Sequence, residues 1–275
     1  MWRVKCLKQS FKFGTGVSSF IGVFITFFPF GQKWWIGIMT VLLVFIIASL
    51  GALLCFLLRK HRKIASFANH SISATYGNIF SVKSKEKPVI VIPVNTSFDY
   101  IVEGSLNVKD PIVNPTSLQG QLIKKLTNLE SNNIKSLGAE IEDAIKIQGL
   151  VAESVINKRG NQNVYKLGSY IFLERDDCSY MLFALTDFDE HNVVVPKPVD
   201  TFAKLINELV SDINNCQGRP VYIPIMGVGL SGFGIDHKNS FSLIKEALLS
   251  KKLTLRNDVT IVIYDGDREK VSIDD

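Results

Sequence analysis

No Asp or Glu occurs before Glu86. Cysteine and histidine are scarce, at four each, and no CxxC or other metal-ligand spacing links Cys6, Cys55, Cys178 and Cys216. That excludes a zinc ribbon and a disulfide scaffold, and it fits a reducing compartment. No Gly-Lys-Ser or Gly-Lys-Thr closes any glycine-rich stretch, which excludes a Walker A loop. Internal repeats are absent. Charged residues make up only 21% of the 275 positions against 47% hydrophobic ones, so the chain is too apolar to be disordered throughout.

The charge that is present is unevenly placed. The net is +5 and the pI near 8.9, values that raise nucleic acid or a membrane surface as partners. Eleven of the 31 Lys and Arg residues fall in the first 85 positions, leaving 20 basic against 26 acidic residues, or −6, for the rest. Phosphate contacts need local Lys and Arg, so the acidic remainder argues against nucleic-acid binding.

Residues 13–32 and 34–58 are uncharged. At 1.5 Å per residue they reach roughly 30 and 37 Å, enough for a hydrocarbon core. A transmembrane hairpin over residues 1–63 is expected, with spans at about 13–31 and 35–58 and the lipid bilayer as a partner. A cleavable signal peptide fits less well, because the apolar run is long and no small-x-small site follows. Basic flanks on both sides place both termini of a multi-pass membrane protein in the cytoplasm. Gly14, Ser18, Gly22 and Thr26 form a smooth helical stripe, which suits either homo-oligomerisation or packing of the hairpin on itself. No ionisable residue lies within the spans, which argues against a transporter.

Residues 64–85 read as a Ser-rich connector leading into a first strand, and 86–275 as one α/β domain. Apolar runs predict strands at 89–94, 171–173, 180–185, 221–226 and 259–264, with a turn at Asp176-Asp177. Apolar spacing predicts a helix over 200–215, capped by Asp200 or Thr201, and another over 240–250. Residues 128–165 read as irregular, with a short helix at 139–147. The alternation implies a three-layer α/β/α sandwich.

Four segments carry candidate chemistry. Gly227-Val228-Gly229-Leu230-Ser231-Gly232-Phe233-Gly234 follows a strand and precedes a helix, so its N–H groups can cradle a diphosphate. Val94-Asn95-Thr96-Ser97-Phe98-Asp99 ends another strand; Asn95 and Asp99 can meet ligand hydroxyls there or satisfy a local Asx-turn. Pro115-Thr116-Ser117-Leu118-Gln119-Gly120-Gln121 reads as a helix start, and Gly77-Asn78-Ile79-Phe80 is uninformative alone. No metal or cofactor is expected, and His237 beside a helix-capping Asp236 reads as a surface residue.

In this order, and with the hairpin, the four segments resemble the macro domain, and more narrowly the divergent macro domain of Thoeris effectors in bacterial anti-phage defence. The resemblance implies a macro-like three-layer α/β/α domain behind a two-helix transmembrane hairpin, and that the membrane is the bacterial inner one. It implies a ligand derived from ADP-ribose, expected as histidine-linked ADP-ribose, made by a TIR-domain enzyme that consumes NAD. Binding would drive oligomerisation and membrane damage. It also implies site roles. Asn78 stands where the macro pattern has an acidic residue for the adenine amino group. Asn95 meets the distal ribose, and Asp99 the far end of the ligand. Gly120 belongs to the helix-start segment. Gly227 to Gly234 form the diphosphate loop, with Phe233 packed on the ribose. Hydrolytic macro domains carry Gly-Gly-Gly where this chain has Tyr100-Ile101-Val102-Glu103-Gly104-Ser105, which implies binding rather than turnover. A membrane-tethered ADP-ribosyl hydrolase is the alternative.

Overall fold

A computed structural model describes residues 39, 42–51, 60–67, 69–102 and 111–274. The chain divides after Lys60 into two units. In the first, the described residues 42–51 are helical. Ten helical residues rise roughly 15 Å, half a hydrocarbon core. Among the described residues no helix is long and apolar enough to cross a membrane. The expected multi-pass membrane protein with both termini in the cytoplasm is therefore corrected. The expected first span, 13–31, and its Gly14–Thr26 stripe lie outside the described residues, as does most of 35–58.

The second unit is built on nine strands: β1 (His61–Ser66), β2 (Ser71–Tyr76), β3 (Val89–Asn95), β4 (Ser154–Val155), β5 (Asn163–Val164), β6 (Tyr170–Glu174), β7 (Ser179–Thr186), β8 (Val221–Pro224) and β9 (Val259–Ile263). Seven form one sheet in the order β1-β2-β9-β8-β3-β7-β6, while β4 and β5 pair only with each other. β2, β9, β8, β3 and β7 run parallel; the edge strands β1 and β6 are antiparallel to their neighbours. Parallel strands covered on both faces must be apolar on both. In β3, Val89 and Val91 enter one core while Ile90, Ile92 and Val94 enter the other. In β7, Met181, Phe183 and Leu185 alternate likewise with Tyr180, Leu182 and Ala184.

Helices α1 (Leu118–Thr127) and α2 (Ser131–Gln148) line one core through Leu122, Ile123, Leu137 and Ile141. Helices α3 (Val199–Asp212) and α4 (His237–Ser250) line the other through Phe202, Leu209, Phe241 and Leu248. The expected three-layer α/β/α arrangement is present, with a mixed sheet.

Three local expectations are corrected. The stretch 128–165, read as irregular around a short helix at 139–147, holds the 18-residue α2, which contains that helix and extends it at both ends. Its polar residues form the solvated face, and Ile134, Leu137, Ile141 and Ile145 form the buried one. The connector, expected to lead into one first strand, carries two strand segments, the end of β1 and all of β2. Pro198, not Asp200 or Thr201, is the N-cap of α3, and it makes no side-chain cap. Asp200 sits in the first helical turn, where its charge favours the helix dipole. At α4 the expected cap holds: Asp236 accepts from Asn239 N at 2.7 Å.

Candidate functional site

Five parallel strands end at one edge of the sheet, the edge where open α/β sheets place ligands. β2 is followed by Gly77 and Asn78, β9 by Tyr264 and β8 by the 227–234 loop; β3 ends in Asn95 and β7 leads into Asp187. Three of the four predicted segments therefore meet at the ends of β2, β8 and β3. The fourth, at the start of α1, reaches them through Gln119. Its Nε2 donates to Asp99 O at 2.6 Å, and its Oε1 accepts from Asn95 N at 3.3 Å.

The glycine loop owes its path to positive φ: 79° at Gly227, 62° at Gly229, 82° at Gly232 and 64° at Gly234. Other residues reach this region at a cost of about 1–2 kcal/mol. Gly227 is also tight, since a Cβ there would sit 2.7 Å from Phe202 Cδ2. Gly229 is open, with nothing within 4 Å of where a Cβ would lie. Val228 bridges to Ile235, and Gly232 O accepts from Lys197 N at 3.0 Å, which fixes both ends of the turn. Phe233 is 3% exposed and packs against Phe202 with ring centroids 5.3 Å apart. Its ring is thus spent in the core, which corrects the expectation that it packs on a ribose. The backbone of Leu230 lies in the short 3-10 turn Gly229–Ser231.

Asn95 takes up the local turn expected of it. Its Oδ1 accepts from Ser97 N and Asp99 N, each at 3.1 Å, forming an Asx-type turn. Its Nδ2 is buried and has no hydrogen-bond partner. The amide lies near enough to the Asp99 carboxylate to lower that group's pKa slightly, without bonding geometry. Among the described residues four buried side-chain polar atoms lack a partner, and two of them, Asn95 Nδ2 and Ser231 Oγ, belong to the predicted site. Each such atom costs about 1–3 kcal/mol and calls for an explanation.

Asp99 is placed differently from expectation. Its Oδ2 pairs with Lys158 Nζ at 2.7 Å and its Oδ1 accepts from Asn161 N at 2.7 Å, with both charged side chains essentially inaccessible. Burial raises the Asp99 pKa, against the pull of Lys158 and the Asn161 N–H. The carboxylate is thus committed inside the protein.

Asn78 is exposed, and its side chain caps the 3-10 turn Ile79–Ser81 by accepting from Phe80 N at 2.9 Å. Gly120 donates its N–H to Ser117 Oγ, and a Cβ there would come 2.9 Å from Pro115 Cα, so the 114–115 backbone needs a glycine. Sequence reasoning missed Lys158 and Asn161, because nothing local marks them, and it included Gln119 only as part of the helix-start segment. Tyr264, read as the last residue of a strand, instead follows β9 and is 62% exposed between the ends of β2 and β8.

Past Asn95, a cleft of about 660 Å³ opens among Tyr165, Lys166, Asp187, Lys197, Lys204 and Glu208. It adjoins the Asn95 loop, since Tyr165 N donates to Thr96 O at 3.0 Å. Lys197 pairs with Asp187 at 2.7 Å, so both signs of charge line the cleft. Among the described residues no cluster of His, Cys, Asp and Glu could hold a metal. The Cys216 thiol is pushed up to about 11 by burial, and Cys178 is also raised, so neither is an activated nucleophile. Of the segment Tyr100 to Ser105, positions 103–105 lie outside the described residues.

Residues 72–264 match the family described as Thoeris protein ThsA, Macro domain. Among solved structures, a mutant Oceanobacillus iheyensis macrodomain with ADPR is 10% identical, with 78% of this chain and 94% of that one covered and a TM-score of 0.49. The same organism's macrodomain with ADP is 12% identical over 78% and 92% of the two chains, with a TM-score of 0.46. A macrodomain protein from Streptomyces coelicolor is 11% identical over 70% and 97%, with a TM-score of 0.37. No curated protein matches the chain.

Proposed function

This chain belongs to the macro-domain family of the Thoeris protein ThsA, and on that footing we propose that it binds a signal derived from ADP-ribose at the edge formed by Asn95 and the 227–234 loop. The observation that carries the site is the pair of buried, unpartnered polar atoms Asn95 Nδ2, at the end of β3, and Ser231 Oγ, in the loop that follows the neighbouring β8. A ribose hydroxyl or a phosphate oxygen would satisfy each of them. The four left-handed glycines support a diphosphate in the loop, because their backbone turns without side chains to block an anion. Tyr264 gives the adenine a face to stack on beside Asn78. In the cleft past Asn95, charges of both signs suit the ammonium and carboxylate of a histidine joined to the distal ribose.

The same site supports binding over turnover. Water activation needs a free base, and the Asp99 carboxylate already holds Lys158 and the Asn161 N–H. In this reading an NAD-consuming TIR-domain enzyme supplies the ligand. Its preference for one assembly state then shifts the chain's association.

Calorimetric titration of the full chain with ADP-ribose and with its histidine conjugate tests the proposal. Binding of at least one ligand is expected, and no heat with either at high micromolar concentration would refute it. Incubation with ADP-ribosylated protein should leave that substrate intact.

A further inference from the structure

Resting on that binding reading, we propose that Lys158 is a positioning residue of the ligand site: its buried ammonium, held between Asp99 and Asn192, sets the 95–99 loop so that the Asn95 amide faces the ligand. The Lys158 side chain is 0% exposed and that of Asp99 1%. Burying two charges costs several kcal/mol each before their attraction is counted, and an apolar pair of similar volume is often more stable. Stability alone is a weak reason to keep such a pair.

Its position supplies a stronger one. Lys158 lies in the turn between β4 and β5, far in sequence from either strand end it serves. Its Nζ meets Asp99 Oδ2 at 2.7 Å and Asn192 Oδ1 at 3.4 Å, tying the β3 loop to the β7–α3 loop. The neighbouring Asn161 donates from Nδ2 to Ser97 O at 3.0 Å and to Phe98 O at 3.2 Å. This turn approaches only because residue 160 is glycine, at φ 88°, where a Cβ would overlap Asp99 Oδ1. The loop it clamps is strained, with the buried Phe98 at φ 51°. If Asp99 shifts, its N–H leaves Asn95 Oδ1 and only the bond from Ser97 N, at 3.1 Å, still holds the direction of the carboxamide. The groups facing Asp99 are Lys158, Asn161, Gln119, the Asn95 amide and the adjacent Tyr100. Lys158 is therefore the cation that makes a charged Asp99 tolerable there.

The test compares the full-length wild type with Lys158→Met by ADP-ribose titration at pH 8 and pH 5.5, and by hydrogen exchange without ligand. Wild-type affinity should change little between the two. Lys158→Met should bind at least tenfold more weakly at pH 8, with the deficit largely recovered at pH 5.5, where the unpaired Asp99 takes up a proton. Exchange at Ser97 N and Asp99 N should speed up in the variant at pH 8 whether or not ADP-ribose is the ligand, which separates this inference from the functional reading. Affinity within about twofold of wild type at pH 8, a deficit equal at both pH values, or unchanged exchange would overturn it. Should Lys158→Met fail to fold, the doubly neutral Asp99→Asn/Lys158→Met replaces it. Weaker binding without a pH response is then expected, and wild-type affinity would overturn the proposal.

Discussion

Gly227 and Gly229 are two residues apart in one loop, and both have positive φ, yet their substitution should fail in opposite ways. Gly227→Ala incurs the left-handed penalty of about 1–2 kcal/mol. It also drives a methyl group into the fully buried Phe202 ring, which cannot swing aside because it packs on Phe233. Overpacking of this kind costs about 1–3 kcal/mol more. The sum, about 2–5 kcal/mol, is a large part of an ordinary domain's stability. For a unit of this size it lowers Tm by roughly 4–20 °C. At Gly229→Leu the Cβ meets no neighbour within 4 Å, so the main cost is the φ penalty, about 1–2 kcal/mol. Its side chain instead fills the space assigned to the diphosphate, so ADP-ribose affinity should fall at least tenfold. Thermal melts and calorimetry on the two variants check this. The reasoning is refuted if Gly227→Ala melts no lower than Gly229→Leu, or if Gly229→Leu binds as the wild type does.

Asn95→Asp keeps the oxygen that accepts from Ser97 N and Asp99 N but exchanges the free Nδ2 donor for an acceptor. Titration should find the ligand lost, and the melt should fall by about 3–5 kcal/mol equivalent as well, because the new carboxylate is buried unpaired beside that of Asp99. Tyr264→Ala removes a side chain that is 62% exposed, so the melt should stay within about 0.5 kcal/mol of wild type while ADP-ribose binds several-fold more weakly. Asp212 is pushed up to about 6 by burial, with Glu208 adding repulsion and Lys251 opposing. The folded state therefore holds this proton more tightly than the unfolded chain, and the stabilisation is lost as pH rises from about 4 to 6. Because Asp212 is partly solvated, Asp212→Asn should gain only about 1–2 kcal/mol at pH 7.5 relative to wild type, and almost nothing at pH 4. Urea denaturation at the two pH values would reveal any departure.

Much of the sheet was legible because buried parallel strands are short apolar runs bounded by turns, as at 89–95 and 259–263. α3 was legible because Phe202, Leu205, Ile206, Leu209 and Val210 repeat at helical spacing. Of α2 only 139–147 was legible, since its inward positions are spread among Asn, Ser, Lys and Glu and its hydrophobic signal is diluted. The glycine loop could be read as a turn, because positive φ leaves a mark in residue type. Phe233 could not be assigned a direction, since only packing on Phe202 decides where its ring points. The Lys158–Asp99 pair spans 59 positions, and no local pattern records such a distance. The uncharged runs before residue 60 matched the length of membrane spans, but length and apolarity are properties of a string; among the described residues no helix combines them.

The strand order has a consequence for how the molecule comes into being. β2 is hydrogen-bonded to β9, its register joining Ile72 to Val259, and Tyr76 Oη accepts from Ile273 N at 2.9 Å and donates to Val271 O at 3.1 Å. During synthesis the β1–β2 hairpin emerges early and waits with one edge unpaired while nearly two hundred residues are made. Contacts of such long sequence separation form late and slowly. Asn78 is carried by the first strand of this pair and Tyr264 follows the last, so the edge that meets the ligand closes only when β9 has left the ribosome. A nascent chain that stops short of β9 therefore lacks the complete edge at which ligand binding is proposed.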